Sequence, residues 1–274
     1  MPTLKRADVE LYYESLGMGP PVLFIQGVGV VGECWRPQVN ALKESLQCLL
    51  FDNRGIGKST ACTGPITIAA MAEDAGALLD ALGLESAHVV GHSMGGVIAQ
   101  QLALDHPMRV RSLSLLCTFP RGKDATRLTP YVLWMTLRTR LGSRRMRRRA
   151  FLEMLMPKAD LESADLDALA AQVASLIGRD LADQPFILTK QLIAMSRHDS
   201  LSRLGELAKI PTLVLSAGHD RIATPQYGRR LADAIPGARY EEFPAASHGV
   251  TFQKPKQINQ LLQRFLNSVG PVKA

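Results

Sequence analysis

The stretch "VVGHSMGG", residues 89–96, joins a short apolar run beginning at Ala87 to an amphipathic one, "GGVIAQQLALDHP". The first reads as a buried strand and the second as a helix stopped at Pro107. A chain that changes from strand to helix within three residues must turn sharply. Gly91 and Gly95 flank Ser93 in the pattern Gly-x-Ser-x-Gly, where a Cβ at either glycine would collide with the neighbouring strand or helix. The turn is expected to hold Ser93 in a strained backbone conformation with Oγ exposed. The helix start beyond it aims free N–H groups at developing negative charge. Glycine and serine occupy many ordinary turns, but the strand before and the helix after make this one specific. Ser93 reads as a nucleophile.

Outward from that turn the alternation continues. An alternating, aromatic strand pattern at 9–17 and apolar runs at 21–27, 48–52, 87–93 and 112–118 are accompanied by the helical patterns "RPQVNALKESL", "IAAMAEDAGALLDALGL" and the helix after Ser93. Strand, helix, strand in this rhythm predicts a doubly wound, mostly parallel α/β sheet. From about 120 to 205 the sequence turns helical, rich in Leu, Met and Arg. Strands then resume at 211–218 and 238–244, and "KQINQLLQRFLNSV" reads as a closing helix. The expected organisation is a core of 1–119 and 206–274 interrupted by a helical insertion at 120–205.

A serine hydroxyl needs a base. Of six histidines, His88 begins a strand, His106 ends a helix, and His198 is expected on a helix surface of the insertion. His92 lies in the elbow without easy reach to its neighbour's Oγ, and His219 adjoins Asp220 in a turn. His248, in "PAASHGVTF", follows the last strand, at the carboxyl edge of the sheet where Ser93 also lies. Asp220, in "SAGHDRIATP", ends the preceding strand at the same edge. It can fix the tautomer of His248, although a turn or helix-capping role is the simpler alternative. The order Ser93, Asp220, His248 suits this architecture. Oxyanion donors are expected from the backbone N–H of Met94 and, in the glycine-bearing loop "IQGVGVVG", from Val28.

The decapeptide "FDNRGIGKST", 51–60, ends like a phosphate-cradling loop. Such a loop requires Gly where Asp52 stands, so the likeness is one of turn glycines only. Together, "WRPQVNAL", "FDNRGIGKS", "LLDALGLESAHVVGHSMGG" and "AGHDRIATP" resemble the α/β-hydrolase superfamily over nearly the whole chain, within its esterase and enol-lactone hydrolase branch. The resemblance implies that the insertion is a cap (lid) after the sixth core strand and that Lys58 is exposed. It implies cleavage of a carboxylic ester or lactone through an acyl-enzyme, with no metal or organic cofactor. Carbon–carbon hydrolases of diketones are the nearest alternative. They typically carry Asn before the serine and Pro in the Asp52 loop, where this chain has His92 and Arg54. A non-catalytic ligand-binding protein on the same fold is a third reading. Gln26 replaces the His common at the oxyanion loop and is expected, with Trp134, Met135 and Phe186, to line the substrate pocket.

The chain has 274 residues, 46% of them hydrophobic and 21% charged, within the ordinary range for a globular protein. No run approaches the ~18 apolar residues of a membrane span. The start "MPTLKRADVELYYESLG" lacks a secretory pattern, and Cys34, Cys48, Cys62 and Cys117 show no metal-ligand spacing. A reduced, cytoplasmic setting is expected. Positive charge concentrates in 119–205, with 15 Lys and Arg against 9 Asp and Glu, while the rest holds 17 against 16. Seven arginines lie between 138 and 149. At 144, 145, 147, 148 and 149 they cover most of a helix circumference rather than a stripe, which argues against a nucleic-acid site. The expected partner is a small-molecule ester or lactone, with homo-oligomerisation left open.

Overall fold

The computed structural model describes residues 1–60, 62–125 and 129–270. Among these, eight strands form one sheet: β1 Thr3–Lys5, β2 Glu10–Leu16, β3 Pro21–Ile25, β4 Gln47–Phe51, β5 Ala87–His92, β6 Val110–Leu116, β7 Thr212–Ala217 and β8 Arg239–Phe243. Their order is β1-β2-β4-β3-β5-β6-β7-β8. β1 and β2 are antiparallel, β2 runs antiparallel to β4, and β3 to β8 are parallel. β5 and β7 are buried at every residue, which is why their sequences are apolar runs without alternation. The short β1 had no sequence signal beyond three residues.

The order also locates the site. The chain steps from β3 to β4 on one side and then to β5 on the other side of β3. The crevice beyond the carboxyl ends of β3 and β5 is therefore a topological switch point, where α/β sheets bind ligands. The loop after β3 carries Gln26 to Val28, and Ser93 follows β5.

The helices are α1 Arg36–Leu42, α2 Ile68–Ala81, α3 Met94–Asp105, α4 Gly122–Ala125, α5 Pro130–Arg138, α6 Arg144–Leu155, α7 Lys158–Glu162, α8 Leu166–Ile177, α9 Phe186–Ser196, α10 Pro225–Ala234, α11 Val250–Gln253 and α12 Pro255–Ser268. α2 packs on α3 and α1 on α12. Starts follow local chemistry: Thr67, Thr129, Ser143 and Asp165 each accept a backbone N–H of the turn they cap. α8 ends at Gly178, which takes φ 83° as a left-handed cap.

The elements α4 to α9 all lie between β6 and β7. Their apolar residues Leu152, Leu155, Val173, Ile177 and Leu181 form a small cluster of their own with Cys34. The segment joins the core through a neck, in which Gly122 N–H donates to His198 O at 2.9 Å and Ser200 N–H to Pro120 O at 3.0 Å. The expected boundary at 205/206 falls inside a 3-10 helix, Leu201–Lys209, whose Leu204 and Leu207 belong to the main core. Apolar spacing there resembled the insertion, so composition alone could not separate them. His198 is in the neck, half-buried, rather than on a helix surface.

Candidate active site

Ser93 sits between β5 and α3 at φ 55° and ψ −122°, left-handed backbone for a residue with a Cβ. The flanking glycines are sterically required. A Cβ at Gly91 would lie 2.3 Å from Gly95 O, and one at Gly95 would lie 2.1 Å from Ile25 O. Two bonds fix the turn: Ser93 N–H donates to Leu116 O at 3.0 Å, and Thr118 Oγ1 donates to Ser93 O at 2.7 Å.

Three loops from the carboxyl edge converge here. His248 Nε2 lies 3.0 Å from Ser93 Oγ, and His248 Nδ1 lies 2.7 Å from Asp220 Oδ2. Asp220 also fills the turn role read as its alternative, because Oδ1 accepts the N–H groups of Ile222 at 2.8 Å and Ala223 at 2.9 Å. One oxygen holds the loop while the other is aimed at the imidazole. All three side chains are buried. Cys117, also at positive φ (45°), adjoins Asp220. Burial first, then the Asp220 charge and hydrogen bond, raise its thiol pKa well above the usual value. That thiol stays protonated.

His92 does not bond Ser93 Oγ, as the sequence suggested, but it has another partner. A carbonyl can only accept, so His92 Nε2–H donates to His248 O at 2.8 Å. The two rings lie 4.9 Å apart, and Trp35 packs edge-on to His92 from behind at 6.4 Å. Burial, and then the neighbouring His248, push its pKa down to about 3, so it is neutral. Thr118, Cys117 and His92 were not legible as site residues, because each meets its partner only through the fold.

The remaining histidines have other places. His88 Nδ1 is 2.7 Å from Ser112 Oγ inside the sheet, and His106 pairs with Glu73 at 2.7 Å on the surface. Among the described residues no acceptor is found for the N–H of Val28 or of Met94, the first residue of α3. Val28 lines the cavity that contains Ser93, and Met94 follows Ser93 in the chain.

A cavity of about 600 Å³ opens over Ser93, roofed by the α5–α9 segment. Gln26, Met135 and Phe186 line it; Gln26 and Met135 are buried, while Phe186 is an exposed rim residue. Gln26 Oε1 accepts Gly27 N–H at 3.2 Å, and its buried Nε2 has no partner among the described residues. Trp134 is a correction. It is 57% exposed and lines a separate groove with Leu137, Leu141 and Met146. Successive helix residues are rotated by about 100°, so with Met135 facing inward Trp134 cannot.

The Asp52 loop holds no phosphate cradle. Asp52 Oδ1 accepts Gly32 N–H at 2.7 Å and Oδ2 accepts Lys58 N–H at 2.8 Å. Its carboxylate lies where a Cβ on Gly57 would be, at 2.3 Å. Lys58 is exposed, its Nζ 4.4 Å from the centre of the Tyr12 ring.

Comparison with known proteins bears on the family and the fold. The family model of the α/β hydrolase fold matches residues 20–255. A protein of Azorhizobium caulinodans, provisionally named a carbamate hydrolase, is 31% identical over 98% of this chain and 99% of its own. The crystal structure of an enol-lactonase from Burkholderia xenovorans superposes with a TM-score of 0.81 at 28% identity, covering 97% of this chain and 100% of that one. A Mycobacterium tuberculosis protein, provisionally named a non-heme bromoperoxidase, gives a TM-score of 0.82 at 30% identity over 95% and 97% of the two chains.

Proposed function

The chain belongs to the α/β hydrolase family, and on that premise we propose that it is a serine hydrolase of carboxylic esters or lactones, with Ser93 as nucleophile and residues 120–205 as its cap. The carrying observation is the continuous relay from Ser93 Oγ to His248 Nε2 (3.0 Å) and from His248 Nδ1 to Asp220 Oδ2 (2.7 Å) at a strained strand-to-helix turn. His248 takes the Ser93 proton as Oγ attacks the carbonyl carbon. The oxyanion accepts the free N–H groups of Val28 and Met94, each donor typically worth ~3 kcal/mol in the transition state. His248 then protonates the leaving alcohol. It next activates water against the acyl-enzyme, and Ser93 regains its proton as the acid leaves.

His92 holds the backbone of His248 in place, and being neutral it adds no cation beside the imidazolium that forms. The apolar cavity supports a carbon-rich substrate. The name of the B. xenovorans neighbour adds support for a lactone, and that of the A. caulinodans relative makes a carbamate ester worth including in any panel.

The test is turnover of p-nitrophenyl esters of rising chain length beside a lactone, a carbamate ester and a diketone. Ser93→Ala should fold normally and lose on the order of 10⁴ to 10⁶ in kcat on every substrate that wild type cleaves. A fluorophosphonate should label wild type and not the variant. Retained hydrolysis in folded Ser93→Ala would sink the proposal.

A further inference from the structure

Among the described residues, three cations and no carboxylate line the cavity: Arg140, Arg179 and Arg221. Arg140 and Arg221 are exposed, Arg221 lying 5.0 Å from the centre of the Tyr131 ring. Arg179 is different. It follows the left-handed Gly178 that ends α8, a turn that carries its half-buried side chain back toward the loop after β3. Its Nε donates to Gly29 O at 3.4 Å, and its Nη1 to Asp180 O at 3.3 Å and Asp183 O at 2.8 Å. The guanidinium also lies 5.3 Å from the centre of the Phe151 ring.

Every one of those acceptors is a neutral carbonyl. The neighbouring carboxylates are taken by other cations: Asp180 by Arg144 and Arg148, and Asp183 by Arg144. Among the described residues no acidic side chain pairs with Arg179, and its Nη2 has no hydrogen-bond partner. Burial pulls its pKa below the usual guanidinium value, outweighing the carboxylate charges of Asp183 and Asp180, which act on it without bonding it. Gly29, at φ 68°, lies against the fork: a Cβ there would be in ordinary contact with Nη2 at 3.6 Å and would collide with Leu188 Cδ2 at 1.9 Å.

We propose that Arg179 is a carboxylate subsite, and that the substrate is therefore an ester or lactone with an apolar body and a carboxylate remote from the scissile carbonyl. This rests on the serine-hydrolase reading and narrows it. A carboxylate on the fork replaces lost hydration with charge-assisted hydrogen bonds, and the acid-free, apolar walls weaken neither partner by competition. The spacing fits. A Cβ on Gly27 would lie 3.6 Å from Ser93 Oγ, and Gly29 is two residues further along, at most about 7 Å between Cα atoms. The Gly27–Gly29 loop thus runs from beside Ser93 Oγ to beside the Arg179 fork, and one substrate lying along it reaches both.

The competing role is that of a clamp, tying the loop after β3 to the 180–183 turn and touching no substrate. Selectivity separates the two. At low salt, p-nitrophenyl half-esters of straight-chain dicarboxylic acids and 4-carboxyphenyl alkanoates are compared with neutral esters of equal length. At its best chain length, wild type should favour one anionic series at least tenfold in kcat/KM. That ratio should fall toward one in Arg179→Met, recover in part in Arg179→Lys, and persist in the Arg140→Gln/Arg221→Gln double variant. A wild-type ratio at or below one in both series overturns the subsite, a result that does not depend on any variant folding. So does a ratio unchanged in Arg179→Met, or one lost in the double variant instead. Calorimetry of the matching dicarboxylates with Ser93→Ala, with and without Arg179→Lys, reads the same subsite without turnover. Failure of wild type to cleave any ester would instead count against the serine-hydrolase reading alone.

Discussion

Ser93 holds a backbone conformation that a serine would not choose. Its φ of 55° and ψ of −122° are held by Leu116 O, Thr118 and two glycines that admit no Cβ. Strain of this kind typically costs about 1–3 kcal/mol and persists only where its surroundings enforce it. Glycine has no Cβ to strain, while its greater unfolded entropy costs roughly 0.5–1 kcal/mol. Ser93→Gly should therefore be about 1 kcal/mol more stable than Ser93→Ala, with both variants inactive. Urea unfolding of the two checks this; equal midpoints would mean that the elbow stores no strain. The same residue shows how far sequence reaches. Spacing marked Ser93 because two glycines and a strand-to-helix switch lie within a few positions. His248 and Asp220 followed from their places at strand ends. The bond from His92 to His248 joins residues 156 apart in the chain, and nothing local to either one signals it.

At the scale of elements, charge behaves according to its burial. The acids nearest the arginine-rich α6 in sequence are Glu153, Asp160 and Glu162. Only Glu153 serves, pairing with Arg138 and Arg149, while Asp167, Asp180 and Asp183 supply the rest. The reason is packing. α6 lies beside α8, so its partners come from the start and end of that helix, while Asp160 and Glu162 on α7 bond Gln253 and Lys158. The loop after β4 is the opposite case. Arg54, buried, makes a bidentate pair with Asp74 at 2.6 and 2.7 Å and reaches Asp8 at 2.9 Å. Exposed pairs contribute about 0–1 kcal/mol, whereas breaking a buried one costs roughly 3–5 kcal/mol. Arg145→Gln/Arg149→Gln should thus leave stability within about 1 kcal/mol of wild type. Arg54→Met should lose several times that, by stranding Asp74. Denaturant unfolding of both variants tests the contrast, and comparable losses would refute it.

Over the whole molecule, the positions of the parallel strands were legible because buried parallel strands leave uninterrupted apolar runs, while the strand order came only from the fold. The division between core and insertion was less so, since the helix carrying Leu204 and Leu207 looks the same whichever body it packs on. Acid sensitivity is another property visible only at this scale. Burial pushes the pKa of His88 and of His198 down to about 4 and that of His92 to about 3, in each case as the first cause. In the unfolded chain each returns to about 6.5. Above that pH both states are neutral at these sites and stability is full. As pH falls from about 6.5 toward 4, the unfolded chain binds protons that the folded one refuses, so stability drops. Each group contributes up to about 1.4 kcal/mol per pH unit. Carboxylates with lowered values, such as Asp8 and Glu14, act only below their unfolded range of about 4, while Asp52, raised by burial, acts above it with the opposite sign to the three histidines. Unfolding free energy should therefore fall by several kcal/mol between pH 7 and pH 5. The slope should become shallower in His88→Asn and in His198→Asn, since each removes one proton-binding site from the unfolded state. Urea titrations at half-unit pH steps measure it directly, and a flat profile from pH 7 to 5 in wild type would show that these histidines are not held neutral by the fold.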